Sequence, residues 1–476
     1  MSPAKKAAPR RRWRTRTPPQ QGRLYRADDN GPGVELDPTA FGGGSEEGWG
    51  RAYESFRRLN EDAFAALDVT PRFESTARGP VLELRPGARV GAIPLRSGAT
   101  GHVVAGYVVR PRFGWSGVGS ILSETGWHSA PNILSMPLVP GSGREVPPWV
   151  LAGPVIARLR ALLEQLKRGF DFKEDTPRAP RGTIQWSKYL RTCPCPVAGG
   201  TKFPVAFPIC PLIPCCAARS GGPWNACSKN SGLSPGTNGS HLLRSDAMRL
   251  LEQLADVARV YPRAELISRM CGGDPLLAQT VRSGLEAIGW VRDERGLGGG
   301  RQMDGLAWSL PLDRLWEDHV ARKVQEQVRQ EGGVLRLGRR GETVTPLHWS
   351  DPTHRSLGHL VPDMVVTRRS SVWIVDAKYK SHFAEIDEGG WRQMADEIRE
   401  SHRADVHQVL GYSSLFDAAE ITATLAYPLR RQTWDMLRER GLDRTVADVY
   451  NGSRHVRLEL WGLPFGPLRT SAAASD

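Results

Sequence analysis

The sequence predicts a mixed α/β (α+β) protein in which a β-rich and helical N-terminal region precedes a C-terminal α/β domain. Short β-prone runs divided by Gly and Pro occupy residues 81–109. Apolar residues with a helical period begin at Leu312, and a two-stranded pattern follows over residues 364–375. A length of 476 residues with 40% hydrophobic content is sufficient for two sizeable cores.

Charge is concentrated at the N-terminus, where residues 1–26 combine Lys and Arg with Pro and Gln and predict a disordered basic tail. This tail either binds DNA nonspecifically or has no role. The formal net charge of +13 favours a polyanionic partner, because side chains that neutralise phosphates release counterions. No apolar run approaches the length of a membrane span or of a signal-peptide core, so we expect a cytoplasmic protein without a membrane partner.

Residues 27–190 form the predicted N-terminal module. We expect a helix near residues 52–67, the short strands over residues 81–109, and a second helix over residues 149–170. The second helix carries a leucine stripe that indicates packing in a core: Leu159, Leu162, Leu163 and Leu166.

Residues 191–240 are anomalous, because six of the seven cysteines lie there among Pro, Gly, Ser and Asn. These are Cys193, Cys195, Cys210, Cys215, Cys216 and Cys227. A zinc site lacks the usual C-x-x-C pairs, and disulfides are rare in the cytoplasm. The same segment, translated in a shifted reading frame, can encode residues of ordinary composition with a helical period. We therefore favour a pair of compensating frameshifts. In that case these cysteines have no function.

Residues 241–304 return to helical patterning and are expected to form a helical connector to the C-terminal domain. A flexible glycine-rich loop is predicted near its end, at residues 296–300. This loop lacks the Lys-Ser/Thr of a phosphate-binding loop, so it does not indicate a nucleotide site.

The strongest functional signal is the stretch PDMVVTRRSSVWIVDAKYK, which contains Asp363, then Asp376 thirteen positions later and Lys378 after one further residue. Two carboxylates and an ammonium group at a strand end are typical of magnesium-dependent phosphodiester hydrolysis. Mg²⁺ prefers oxygen ligands, and a cation removes the repulsion between neighbouring carboxylates. The alternative is an ordinary Asp–Lys ion pair on a buried strand, but the upstream Pro-Asp favours the catalytic interpretation.

Local pairing explains how these residues meet. The β-prone residues 372–375 predict a strand, and the polar turn before it allows residues 364–367 to pair antiparallel. This pairing returns Asp363 to the side of Asp376, and Lys378 shares a face with Asp376 because alternate residues of a strand point the same way. A metal ion there would polarise a phosphoryl oxygen and activate water, while Lys378 would orient that water and offset charge on phosphorus.

The motif and its flanks resemble the PD-(D/E)xK nuclease superfamily, and more closely the McrC-like nuclease subunits of modification-dependent restriction systems. Upstream, Glu317 lies on a predicted helix, and downstream Gln408 and Tyr412 form a Q-x-x-x-Y element one helical turn long. The helix is indicated by apolar residues at Leu312, Leu315, Trp316, Val320, Val324 and Val328. The resemblance covers roughly residues 305–465 of the C-terminal domain, which is predicted over residues 305–476. It implies a restriction-endonuclease-like core with the order helix, strand hairpin, helix, strand, in which residues 424–427 supply the last strand.

The resemblance also implies an activity and a partner. It implies a Mg²⁺-dependent endodeoxyribonuclease, with Mn²⁺ as an alternative ion, that cleaves double-stranded DNA in restriction or antiviral defence. Glu317, Asp363 and Asp376 would bind the metal, Lys378 would act with them in catalysis, and Gln408 and Tyr412 would support them. The implied partner is an AAA+ GTPase or ATPase motor acting in trans, since this chain has no phosphate-binding-loop motif. The N-terminal half would then contact the motor, DNA or both.

Other interpretations stay open. Glu317 could pair with Arg314 on a solvated helix face, and Tyr412 could be a core residue. We leave His382 and His407 out of the site, because a lone histidine is more often structural. At the level of function, the alternatives are a stand-alone repair nuclease of the same superfamily and a non-catalytic DNA-binding adaptor subunit.

Overall fold

A computed structural model of the chain describes residues 24–36, 46–76, 79–165, 238–253, 279–292, 304–350, 357–384, 396–451 and 454–466. The predicted basic tail up to residue 23, the six clustered cysteines and the glycine-rich loop at residues 296–300 lie outside the described residues. The interpretations of these segments therefore stay predictions.

The described residues form both helices and strands, so the mixed α/β class is confirmed. The strands are β1 (Leu24–Asp28), β2 (Val34–Leu36), β3 (Val69–Thr76), β4 (Gly79–Pro86), β5 (Arg89–Arg96), β6 (Val103–Arg110), β7 (Asn132–Ile133), β8 (Trp308–Pro311), β9 (Val334–Leu337), β10 (Thr345–Pro346), β11 (His359–Leu360), β12 (Met364–Thr367), β13 (Ser371–Ala377), β14 (Glu420–Leu429), β15 (Arg444–Asn451) and β16 (Arg454–Pro464). The helices are α1 (Glu46–Leu59), α2 (Glu61–Leu67), α3 (Trp115–Glu124), α4 (Pro148–Gln165), α5 (Asn238–Gln253), α6 (Gln279–Arg292), α7 (Leu312–Glu331), α8 (Asp396–Ser413) and α9 (Arg431–Glu439). None of these helices combines the length and the apolar character that a membrane span requires.

The N-terminal strands form two sheets, one with the order β1-β6-β5-β8-β7 and one with the order β2-β4-β3. The predicted strands over residues 81–109 are confirmed as β4, β5 and β6. The tail predicted for residues 1–26 is too long, because β1 begins at Leu24 and buries Tyr25 and Ala27 on alternate positions.

The single helix expected near residues 52–67 is in fact two helices, α1 and α2, that meet at Asn60. The Asn60 side chain is buried, and its Nδ2 donates to the carbonyl oxygens of Phe56 and Arg96 at 2.8 and 3.0 Å. Its Oδ1 accepts the Arg96 amide at 2.8 Å. Asparagine commonly bonds backbone groups in this way at the expense of helix continuity, so the break fixes the helices to the end of β5.

The C-terminal strands form a six-stranded sheet with the order β15-β16-β14-β13-β12-β9. β13, β14 and β16 run parallel, β12 and β15 pair antiparallel with β13 and β16, and the edge strand β9 pairs antiparallel with β12. The predicted hairpin, the helix that begins at Leu312 and the strand predicted at residues 424–427 are confirmed as β12–β13, α7 and β14.

Helices α7 and α8 pack on this sheet. Val409 and Tyr412 of α8 contribute to a buried core with Ile374 of β13 and Leu425 of β14. On α7, Trp316 is fully buried, and its indole Nε1 donates to the Ala426 carbonyl oxygen at 3.1 Å. Both helices are thereby held against the strands that carry the predicted site.

The described chain divides into two compact units. The second contains residues 155–165, 245–253 and 279–292, and the first contains the remainder. Within the second unit Leu162 contacts Gly284, and the Arg158 guanidinium lies 4.8 Å from the centre of the Trp290 ring. The helix predicted over residues 149–170 is described as far as Gln165, with Leu159 and Leu162 buried as the leucine stripe predicted.

Candidate active site

The β12–β13 hairpin places the two predicted aspartates side by side. Met364 is paired with Val375, so Asp363, one residue before β12, lies opposite Asp376 near the end of β13. Both strands are anchored by apolar side chains, since Met364 and Val375 are each 0% exposed. The sequence folds in this way because a polar turn separates two β-prone runs, and the near-continuous apolar residues of these runs bury both faces of each strand.

The two carboxylates are in direct contact in a setting that disfavours negative charge. Asp376 is 1% exposed, and Asp363 is half-buried. Burial, followed by the charge and hydrogen bond of Asp376, raises the pKa of Asp363 to about 8. Asp363 Oδ2 also accepts the Ala377 amide at 2.8 Å, which fixes its orientation. Near neutral pH a proton therefore holds the pair together when no cation is bound.

Lys378 completes the cluster. Its Nζ lies 2.7 Å from Asp376 Oδ2 and donates to Gln408 Oε1 at 2.8 Å. Burial lowers the pKa of Lys378, but the charge of Asp376 and its hydrogen bond outweigh burial and raise the pKa above its usual value. The ammonium group is therefore charged and held between the carboxylate and an amide oxygen.

The Q-x-x-x-Y element lies on α8 and extends this network. Gln408 Nε2 donates to Tyr412 Oη at 2.8 Å, so the two side chains share a helix face as their spacing predicted. Tyr412 is largely buried, and burial raises the pKa of its hydroxyl. The amide of Gln408 consequently has a fixed orientation, with its oxygen toward Lys378 and its nitrogen toward Tyr412.

Glu317 of α7 lies near the aspartates without touching them. Its carboxylate is half-buried, and burial raises its pKa, with Arg339 opposing that rise and the charge of Asp376 adding to it. Within the described residues no three or more His, Cys, Asp or Glu side chains are grouped closely enough to hold a metal ion. The structure thus brings together two of the three predicted metal ligands. The third, Glu317, lies close enough for its charge to raise the pKa of Asp363.

The chemistry of the two aspartates fits a magnesium ion. Mg²⁺ is commonly held by one or two carboxylates, with water and substrate phosphate as its other ligands. Asp376 Oδ2 is buried and, among the described residues, has no well-directed hydrogen-bond donor, although the Lys378 ammonium lies beside it. A cation between the carboxylates would remove the need for the shared proton.

A second polar pair, which the sequence did not reveal, lies beside the first. Lys380 Nζ contacts both carboxylate oxygens of Asp405, at 2.7 and 2.9 Å, and donates to Ser401 Oγ at 3.0 Å. Asp405 is 4% exposed, and although burial raises its pKa, the hydrogen bonds of His382 and Lys380 lower it overall. The spacing offered a weak signal, because Lys380 follows Lys378 by two residues and Asp405 precedes Gln408 by about one helical turn.

Of the two histidines left out of the site, His382 belongs to this second cluster. It is buried, and its Nδ1 lies 3.5 Å from Asp405 Oδ2. His407 is exposed on α8. Tyr427 of β14 closes the cluster, since its hydroxyl lies 3.4 Å from Asp405 Oδ2 and 3.1 Å from Nδ1 of His402.

A third group, also absent from the prediction, connects the site to the N-terminal sheet. Asp29 is fully buried, and its Oδ1 accepts the Arg112 amide at 2.6 Å. The Arg112 guanidinium lies 3.4 Å from Asp29 Oδ2 and 4.7 Å from the centre of the Tyr379 ring, and it donates to the Tyr379 carbonyl at 3.1 Å. Tyr379 is the residue after Lys378. Arg112 and Tyr379 are 267 positions apart in sequence, so no local pattern pointed to their contact.

Comparisons with known proteins do not indicate a family for this chain. The chain matches no protein-family model, and a search of curated proteins finds no match to it.

Proposed function

We propose that this chain is a magnesium-dependent DNA endonuclease that hydrolyses phosphodiester bonds. The observation that carries the proposal is the contact between the buried Asp376 carboxylate and the half-buried Asp363 carboxylate, beside the charged Lys378. Buried carboxylates repel each other, and their retention beside a positioned ammonium group is typical of a site that binds a cation and a phosphate. The net charge of +13 is consistent with a polyanionic substrate.

Each residue has a defined task in this proposal. Asp363 and Asp376 hold Mg²⁺, which when bound polarises the scissile phosphate and lowers the pKa of a water. Lys378 orients the attacking water and offsets the negative charge that builds on phosphorus. Gln408, fixed by Tyr412, keeps the Lys378 ammonium pointing toward the carboxylates. Glu317 contributes negative charge at the edge of the site and would be the third carboxylate to help hold the metal.

We propose further that the C-terminal domain has a PD-(D/E)xK core and that the chain is the McrC-like subunit of a modification-dependent restriction system in the cytoplasm. The support is the combination of the aspartate–lysine motif with the Gln408–Tyr412 element on a helix that packs beside it. Because the sequence has no phosphate-binding-loop motif, an AAA+ motor would act in trans. Mn²⁺ is expected to substitute for Mg²⁺, since it shares the preference for oxygen ligands.

A plasmid-cleavage assay with Mg²⁺ tests both the nuclease activity and the restriction assignment. It is run with and without an AAA+ motor protein encoded by a neighbouring gene, together with the nucleotide of that motor. We expect cleavage that needs the motor and is abolished by Asp376→Ala. Asp448→Asn, which changes an exposed carboxylate on β15, is the matched control and should cleave as the wild type does.

The outcomes separate the alternatives. Cleavage by the chain alone would replace the restriction assignment with a stand-alone repair nuclease. A folded wild-type protein that cleaves under no condition would contradict the endonuclease proposal and favour a DNA-binding adaptor. Cleavage that persists in Asp376→Ala would place the active site elsewhere.

A further inference from the structure

The β9 edge of the six-stranded C-terminal sheet carries two exposed arginines near the candidate site. β9 is the last strand of the sheet and pairs only with β12 among the described residues, with Arg336 opposite Val365. Immediately after β9, the amide of Gly338 donates to the backbone oxygen of Asp363 at 2.8 Å. Gly338 begins a short 3₁₀ helix, Gly338–Arg340, that ends in Arg340. We call Arg336 and Arg340 the arginine edge.

Strand register places Arg336 on the same face of the sheet as the aspartates. Val365 lies opposite Ile374, which precedes Asp376 by two residues, so Arg336, Ile374 and Asp376 share one face. Two strand spacings across and two residues along the strand separate the Cα atoms of Arg336 and Asp376 by about 12 Å. That span corresponds to the rise of roughly three or four base pairs along the DNA helix axis.

Charge in this segment is available to a ligand. Arg336 and Arg340 are exposed, and neither forms an ion pair with a carboxylate among the described residues. Arg339 differs, because its guanidinium is bound to the buried Asp318. The one acidic residue within residues 334–350 is Glu342, and its carboxylate accepts the Leu337 amide at 2.8 Å. Among the described residues, the segment therefore presents two cations without a carboxylate partner at the β9 edge of the sheet.

We propose that the arginine edge binds the phosphate backbone of duplex DNA a few nucleotides from the scissile phosphate. This inference rests on the proposed nuclease function and adds a substrate-binding surface to it. Unpaired arginines suit this task because they bind phosphate oxygens through paired N–H donors and release counterions when they do so. Contacts to the backbone position the duplex without reading its sequence, so the arginine edge fixes the register of the DNA over the metal site.

The test measures binding of a short fluorescent DNA duplex to the full chain carrying Asp376→Asn, which prevents cleavage, across a series of salt concentrations. Arg336→Ala and Arg340→Ala should each reduce the slope of log affinity against log salt by about 0.9. Each should weaken binding roughly fivefold at 0.15 M salt, to the same degree for unrelated duplex sequences.

Arg457→Ala is the matched control, because it removes the same charge from an exposed arginine of β16. Its neighbours Val456 and Leu458 contact the core that α8 covers, so Arg457 points to the opposite face of the sheet. A salt slope that Arg457→Ala leaves unchanged and the two other variants reduce would support the proposal. Equal effects of all three variants, or none, would overturn it.

Cleavage by proteins without the Asp376 substitution separates this inference from the proposed function. If the wild type cleaves DNA and the arginine variants retain full affinity and salt slope, the arginine edge is rejected while the nuclease stands. If the variants lose affinity and slope as expected but the wild type never cleaves, the binding surface stands and catalysis is rejected.

Discussion

At the scale of single residues, the contact between Asp363 and Asp376 sets the stability of the metal-free site. A carboxylic acid whose pKa rises to about 8 on folding must take up a proton near neutral pH, and that uptake reduces the free energy of unfolding. Asparagine at position 363 keeps the shape, since its oxygen can accept the Ala377 amide and its nitrogen can donate to Asp376.

Asp363→Asn should therefore raise the free energy of unfolding in EDTA at pH 7, on the order of 2 kcal/mol, while abolishing cleavage. Mg²⁺ at a hundredfold excess over its dissociation constant should stabilise the wild type by about 2.7 kcal/mol and the variant by much less. Urea unfolding with and without Mg²⁺ measures both. A variant less stable than the wild type in EDTA would contradict the repulsion argued here.

At the scale of elements, the end of β13 and the helix α8 are joined by two polar contacts in succession. Lys378 bonds Gln408, and Lys380 bonds Asp405 about one turn earlier on the same helix. The second contact fixes where α8 lies along the strand, and the first depends on that position. Lys380 and Asp405 are therefore positioning residues for Lys378.

Lys380→Met should lower kcat for DNA cleavage on the order of tenfold to a hundredfold, because small displacements of catalytic groups have effects of that size. KM for DNA should change little, and Lys380→Arg should recover part of the loss. Arg403→Met is the control, since it breaks an exposed Arg403–Glu400 pair on the same helix. A change confined to KM, or equal losses in Met and Arg variants, would contradict the positioning role.

The same elements show what a sequence can and cannot predict. The Asp363–Asp376 contact was predictable because two β-prone runs on either side of a polar turn define a hairpin locally. The Gln408–Tyr412 contact was predictable from helical spacing. The Lys380–Asp405 contact was not, because it depends on how far α8 slides along β13. The break at Asn60 was missed because its partner, Arg96, lies 36 positions away.

At the scale of the whole first unit, the N-terminal sheet and the candidate site are parts of one structure. β8 pairs with β5 and β7 of the N-terminal sheet and continues directly into α7, which carries Glu317. Trp308 and Leu310 of β8 are buried in that sheet. The position of the helix therefore depends on strands that precede it by some 200 residues, a dependence that no local pattern reports.

Arg112 tests this connection, because it holds the fully buried Asp29 on one side and Tyr379 on the other. Arg112→Met should reduce the free energy of unfolding by about 3 kcal/mol, since it leaves a buried carboxylate without its partner. Adding Asp29→Asn should restore most of that loss in urea unfolding, because the double variant leaves no unpaired buried charge. Cleavage should stay low in the stable double variant, because the Arg112 contact that holds the Tyr379 carbonyl beside Lys378 is still missing. A double variant with restored stability and wild-type cleavage would show that the contact serves folding alone, whereas restored stability with slow cleavage would make the N-terminal sheet a functional support of the site.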